Sequence, residues 1–173
     1  FDISAAPSFT QLDSISGTNI ADLHRDGDLI LAANSDAASA YLSVYRESAD
    51  ALAHLGDAQH DGSPDTGEAD LVDSVGQYAF ILERFGDLFI YDISDPTAPE
   101  RISSYAVPGG GSDLVRFGEY LYIAESGTGF QVVNIANPAA PESVRSIIEG
   151  SGSGVVLDYP HLYLLGASTG GEI

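Results

Sequence analysis

Short alternations of apolar and polar residues, broken every few positions by Gly, Asp or Pro, run along the whole chain. The clearest stretch predicts a strand over Asp113–Phe117, a turn at Gly118-Glu119 and a second strand over Tyr120–Glu125, rich in aromatic and β-branched residues. After Ser126-Gly-Thr-Gly129 comes a third strand, Phe130–Ile135. Asn137-Pro-Ala-Ala-Pro141 then breaks the ladder, because proline has no N–H to give a central strand. Glu142–Ile147 alternates as an exposed outermost strand does. No segment keeps a helical period over the roughly eleven residues a helix requires.

The same unit returns along the chain. Its third-strand phrase appears at Phe1–Ser4, Val44–Ser48, Ile90–Glu100 and Val132–Glu142. With Asp2, Arg46, Asp92 and Asn134 as equivalent positions, the spacings are 44, 46 and 42 residues. First and second strands are expected at Asp22–Arg25 and Leu29–Ala33 around Asp26-Gly27-Asp28, and at Leu71–Val75 and Tyr78–Leu82 around Gly76-Gln77. A last pair is expected at Val155–Tyr159 and Leu162–Leu165 around Pro160-His161. A period of this length marks units that hide their apolar faces only against neighbours. Four short antiparallel strands per unit make a propeller blade.

The expected architecture is all-β: one domain over residues 1–173, a β-propeller of about four four-stranded antiparallel blades. Gly170-Gly-Glu-Ile173 followed by Phe1-Asp-Ile-Ser4 imitates a complete third strand. The two ends could therefore share one blade and close a small ring. The alternative is a processed chain or fragment, part of a ring of six to eight blades.

Gly118-Glu-Tyr-Leu-Tyr-Ile-Ala124 paired with Val133-Asn-Ile-Ala-Asn-Pro-Ala-Ala-Pro-Glu142 resembles the LVIVD-repeat family of β-propellers, and Ile90–Glu100 repeats the second half of the pattern. The resemblance is strong over 70–148 and weaker elsewhere, since Arg46-Glu47-Ser48 lacks the Asn/Asp-Pro turn. It implies a propeller, secreted or surface-attached, with no established common catalytic activity.

Charge narrows the partners. The 26 acidic residues face six Arg and no Lys, for a net charge of −20. Such a surface repels nucleic-acid phosphates and anionic lipid heads. No apolar run approaches membrane-spanning length, so neither nucleic acid nor membrane insertion is expected. The lysine-free acidic composition resembles that of proteins from extreme halophiles, where molar salt screens mutual repulsion to a Debye length of about 3 Å. Absence of Cys excludes disulfides and thiolate metal sites.

Candidate chemistry concentrates in Gly56–Asp70, where Asp57, Asp61, Asp65 and Glu68 are candidate calcium ligands, although the EF-hand spacing is missing. His54 and His60 beside them raise a weaker transition-metal alternative. Asp22 and Asp113 hold the same repeat position on innermost strands. They could ring a channel mouth and attract cations, or cap blade-to-blade turns. Asp70 lies one residue off that slot, and Val155 is expected to replace it in the last repeat. Asp92 is expected to form a turn, and the Glu149–Gly154 and Gly109–Gly111 runs to be inter-blade connections. Tyr78, Phe80, Phe89, Tyr91, Tyr120, Tyr122, Phe130 and Tyr163 are expected in the core between blades. The chain is expected to be a non-catalytic extracellular or cell-surface module that binds a protein or self-assembles at high salt. The alternatives are a calcium-dependent hydrolase or lyase and a structural subunit of a surface layer or filament.

Overall fold

The computed structural model describes residues 14, 19–35, 40–59, 69–84, 86–147 and 150–167, and among them every regular element is a strand. Blade 1 contains β1 (Asn19–Asp26), β2 (Leu29–Ser35), β3 (Ala40–Glu47) and β4 (Leu52–Gln59). Blade 2 contains β5 (Ala69–Val75), β6 (Tyr78–Glu83), β7 (Leu88–Asp92) and β8 (Glu100–Tyr105). Blade 3 contains β9 (Gly111–Phe117), β10 (Tyr120–Glu125), β11 (Gly129–Asn134) and β12 (Glu142–Ile147). A fourth sheet holds β13 (Ser151–Asp158) and β14 (His161–Ala167). Each sheet is an antiparallel meander in sequence order, the arrangement of propeller blades.

Local sequence explains the shared outline of the blades. The first hairpin turns at Gly27, Gly76 and Gly118, all with φ near +60°, a left-handed conformation that glycine adopts without steric cost. The residue after each glycine then closes the far end of the third strand. Its carbonyl accepts from Glu47 N at 2.7 Å (Asp28), from Ile93 N at 2.8 Å (Gln77) and from Ile135 N at 2.8 Å (Glu119). Asp92 Oδ1 accepts from Ser94 N at 2.8 Å, the side-chain turn expected there, and Asn134 Oδ1 makes the same turn by accepting from Ala136 N at 2.8 Å. Hydrogen bonding from the Ser94 side chain and then its backbone holds the Asp92 carboxyl below the usual carboxylate range, and the Thr97 side chain and backbone do the same for Asp95. The proline turn also leans on the preceding blade, where Ser103 Oγ donates to Pro138 O at 2.5 Å.

The core lies between blades. One face of blade 1 (Leu31, Ala33, Leu42, Val44) packs on Ala79, Ile81 and Tyr91 of blade 2. The opposite face of blade 2 (Phe80, Leu82, Leu88, Ile90) packs on Leu121, Ile123 and Val133 of blade 3. Successive residues of a strand therefore serve opposite joints, which follows from the period of two. Phe80 and Tyr91 are fully buried as expected, whereas Tyr120 and Tyr163 are exposed. Tyr163 points away from blade 3, on the far face of the last sheet. Two further expectations shift. Ser151–Gly154 opens β13 instead of forming a connection, and the last hairpin turns at Tyr159-Pro160, one residue early.

Phe80→Ala should cost about 3–5 kcal/mol, because the cavity opens inside a joint that two blades share. Val144→Ala, on an exposed stretch of β12, should change stability by less than about 0.5 kcal/mol. Denaturant unfolding at molar salt measures both; similar losses for the two variants would contradict a core placed between blades.

Candidate functional site

The innermost strands carry the ordered polar groups. Each has a β-bulge near its start, between Ile20 and Asp22, Ala69 and Leu71, Gly111 and Asp113, and Gly152 and Gly154. The residue after the bulge is thus Asp22, Leu71, Asp113 or Gly154. The slot that the sequence assigns to Val155 belongs to Gly154, because the last hairpin turns one residue earlier.

Asp22 and Asp113 act as identical forks. Asp22 Oδ1 accepts from Leu23 N at 2.8 Å, while Oδ2 reaches Val72 N on the next blade at 3.0 Å. Asp113 Oδ1 accepts from Leu114 N at 2.8 Å, and Oδ2 from Val155 N on the last sheet at 2.8 Å. The receiving positions, Val72 and Val155, follow Leu71 and Gly154, which have no carboxylate of their own. Inner strands bearing the fork therefore alternate with inner strands that receive it. A bulge displaces the backbone from its ladder, and the carboxylate supplies the acceptor the displaced N–H needs. The bond runs from one inner strand to the next, where the sequence suggested a cap on a blade-to-blade turn.

Further along the same strands, His24, Asp73 and Arg116 connect β1, β5 and β9. His24 Nε2 lies 3.6 Å from Asp73 Oδ1, and Arg116 Nε lies 3.8 Å from that oxygen. Arg116 Nε also donates to Ser74 O at 3.2 Å, and Ser74 Oγ donates to Asp26 Oδ2 at 3.0 Å. On the outer strands of blade 1, Ser43 Oγ donates to Asp57 Oδ1 at 2.5 Å, and His54 Nε2 lies 2.9 Å from the same oxygen. Tyr45 sits edge-on to His54 at 5.2 Å, and burial raises its phenol pKa. Both serine hydroxyls face carboxylates, so neither is offered to a histidine base as nucleophilic catalysis requires.

One further pair emerges at the ends of the second strands. Glu83 and Glu125 occupy equivalent positions, paired across the ladder with Ala69 and Gly111 beside the bulges. Buried Glu125 Oε2 accepts from Thr128 Oγ1 and, at 3.3 Å, from Gly109 N, tying a hairpin to the connection that enters β9. Burial, reinforced by nearby Asp87, pushes the Glu83 carboxyl up to about 7. The sequence carried a signal for both: each ends an otherwise apolar strand with a charge.

The bulges recur with the repeat, and two copies of that repeat match a known one. LVIVD repeat matches cover residues 66–107 and 108–147, which enclose blades 2 and 3. This is an LVIVD-repeat chain. The computationally designed Ika4 protein is similar over 91% of this chain and 92% of its own, with a TM-score of 0.68 and 13% identity. The computationally designed Ika8 protein is similar over 84% of this chain and 42% of its own (TM-score 0.57, 11% identity). A chain from the S. cerevisiae complex of Dbp5 bound to Nup159, Gle1, IP6 and ADP is similar over 90% of this chain and 42% of its own (TM-score 0.51, 14% identity). At these identities the likeness is one of fold. No curated protein matches.

Within the LVIVD-repeat chain, Asp57 is the calcium candidate the structure describes, and it is bound to Ser43 and His54 on β3 and β4. Asp61, Asp65, Glu68 and His60 lie outside the described residues, as does the Asp70 side chain. Among the described residues no three His, Asp or Glu side chains gather as a metal-binding group.

Asp113→Asn should destabilise the chain by about 1–3 kcal/mol, because the amide keeps one acceptor and turns an NH2 toward a backbone donor. Hydrogen exchange should accelerate at Leu114 or Val155 and stay unchanged at Val72; unchanged exchange at both would remove the fork. Glu83 gives a pH signature of definite sign. The folded chain holds its proton to about pH 7, against an ordinary carboxyl value of 4.5, so its stabilising contribution is complete below 4.5 and disappears as pH rises through 7. Discounted for solvent screening, Glu83→Gln should remove about 1 kcal/mol of that pH dependence. Thermal melts from pH 4 to 8 test this, and parallel curves for the two proteins would refute it.

Proposed function

We propose that this LVIVD-repeat propeller is a non-catalytic module that binds a protein partner or assembles, at a cell surface or outside the cell, in high salt. The observation that carries the reading is a division of the surface. The ordered carboxylates of the inner strands bond to backbone and neighbouring side chains, whereas large apolar side chains are exposed together on the last hairpin. Val156, Tyr159, Tyr163 and Leu165 are all exposed there, and Tyr159 stacks on exposed Phe117 with ring centres 5.3 Å apart. A grouped apolar surface on an otherwise acidic protein favours contact with another protein surface. The excess of 26 acidic residues over six Arg supports a high-salt setting. The resemblance to secreted and surface-attached repeats supports the location.

A second reading has one observation in its favour. Glu83, with its carboxyl held near 7, has Asp87 as a neighbour, and such a pair favours a divalent cation or an acid–base role. A calcium-dependent hydrolase or lyase would be the form of that activity.

Salt and calcium separate these readings. Dilution from about 3 M to about 0.1 M salt should lengthen the screening distance from roughly 2 Å to 10 Å and lower the melting temperature. A salt-independent melt would contradict the high-salt reading. Calcium titration of the chain and of Glu83→Gln should give no heat and no turnover across a hydrolase and lyase substrate screen. Saturable calcium binding lost in Glu83→Gln, or any turnover, would favour the enzyme.

A further inference from the structure

The first hairpins turn at the same end of their sheets, and that end is exposed even where a blade has neighbours on both flanks. Blades 2 and 3 are flanked in this way, yet Gly76-Gln77 and the whole of Phe117–Tyr120 are exposed. Two of the hairpins carry aromatic residues there that the repeat does not require. Phe117 pairs with Tyr120 at the end of β9, the position held by Asp26 on blade 1, Val75 on blade 2 and Asp158 on the last sheet. Tyr159 stands where the other three hairpins have Gly27, Gly76 and Gly118. The two rings stack across the joint between blade 3 and the last sheet, with centres 5.3 Å and planes 22° apart. Phe117 is 44% exposed, Tyr120 38% and Tyr159 74%. Rings this exposed add little to folding, because hydrophobic stabilisation follows the area removed from water.

The setting of these rings selects a cation. Glu119 and Asp158, in the same two hairpins, are exposed carboxylates. Arg116, one residue before Phe117, turns Nε inward to Ser74 O at 3.2 Å and Nη1 to Gly118 O at 3.5 Å. The His161 ring lies against Tyr163, with centres 6.3 Å apart. An aromatic face beside carboxylates attracts positive charge through the ring quadrupole as well as by ion pairing. The chain already makes one such contact, the Arg101 guanidinium over the Phe89 ring at 5.5 Å. Its other guanidinium groups are placed elsewhere. Arg25 pairs with Glu47 and Arg46 with Asp28, Arg84 follows β6 at the opposite end of blade 2, and Arg145 lies on outermost strand β12. The cation for this face therefore comes from another protein.

We propose that the stacked Phe117–Tyr159 pair receives an arginine side chain of a partner protein, with Glu119 and Asp158 as its counter-charges. A guanidinium is planar and weakly hydrated, so it lies flat on a ring. That contact outlasts a bare ion pair in molar salt, where charges are screened within about 3 Å. The net charge of −20 draws basic partners to the same surface before they dock. This inference rests on the binding-module reading and names the chemistry of the partner.

Ring-proton NMR of the intact chain, titrated with the capped peptide Gly-Arg-Gly in about 3 M and about 0.1 M KCl, reads the contact at two extremes of screening. The Phe117 and Tyr159 resonances should shift saturably at both. The same peptide with citrulline, which keeps the shape and lacks the charge, should bind roughly two- to fivefold more weakly. Tyr159→Ala should weaken the arginine peptide by a similar factor with an unchanged circular-dichroism spectrum, since its side chain is mostly in solvent. Asp158→Asn should weaken binding more at low salt than at high salt, because screening already removes most of that attraction. Glu142→Gln, on outermost strand β12, should leave binding unchanged. Equal binding of the citrulline peptide overturns the inference, as does undiminished binding by Tyr159→Ala or the absence of a saturable shift. Equal weakening by Glu142→Gln and Asp158→Asn also overturns it, since diffuse charge would then account for the binding. In these cases the wider module reading survives, with a partner of other chemistry; turnover by the chain would remove that reading whatever the peptide does.

Discussion

Everything in this fold depends on apolar packing between sheets that have two apolar faces and cannot cover either alone. A four-stranded antiparallel sheet exposes roughly half its side chains on each side, and in this chain both halves are apolar near the centre. Leu31 and Leu42 need Ile81, Phe80 and Leu88 need Ile123, and the arrangement stands only as a row. Burial of these side chains provides most of the driving force, at roughly 25 cal/mol per Å2 of apolar surface. The polar features then fix how the sheets meet. The forks at Asp22 and Asp113 set the height of one inner strand against the next, and Ser103 meeting Pro138 O sets the outer strands.

Most of the fold was legible because its signals are local. Strand β10 is found where Tyr120–Glu125 predicts it, and β12 where Glu142–Ile147 does, since a glycine turn or a proline pair bounds each. What failed to show was longer in range. Ser151–Gly154 looks like a linker in sequence, yet it opens a strand because Gly152 must pass close to Gly129 O and the Glu125 backbone, where a Cβ would clash. A run of Gly and Ser reads alike in both roles, and the neighbour that decides lies more than twenty residues away. The last turn slipped by one residue for a local reason: Tyr159-Pro160-His161 lacks the glycine that marks the other three hairpins.

The polar positions were legible only in part. Repeat spacing brought Asp22 and Asp113 together as one position, but the bond they make joins neighbouring inner strands, which neither a turn cap nor a channel-mouth ring describes. The bulge that shifts Leu71 and Gly154 into the same slot does not register in a simple count of residues. Glu83 and Glu125 were harder still, because a glutamate at a strand end is ordinary in an acidic sequence. Burial distinguishes them, and burial comes from the joint.

The alternation of forks constrains how a chain like this changes length. Removing one blade would set two fork-bearing inner strands side by side, or two without forks, and in the second case a displaced amide would lose its only carboxylate. Removing or adding two neighbouring blades leaves every donor matched. A change of length by blade pairs therefore disturbs these inter-blade bonds least, whereas a change by one blade breaks their alternation.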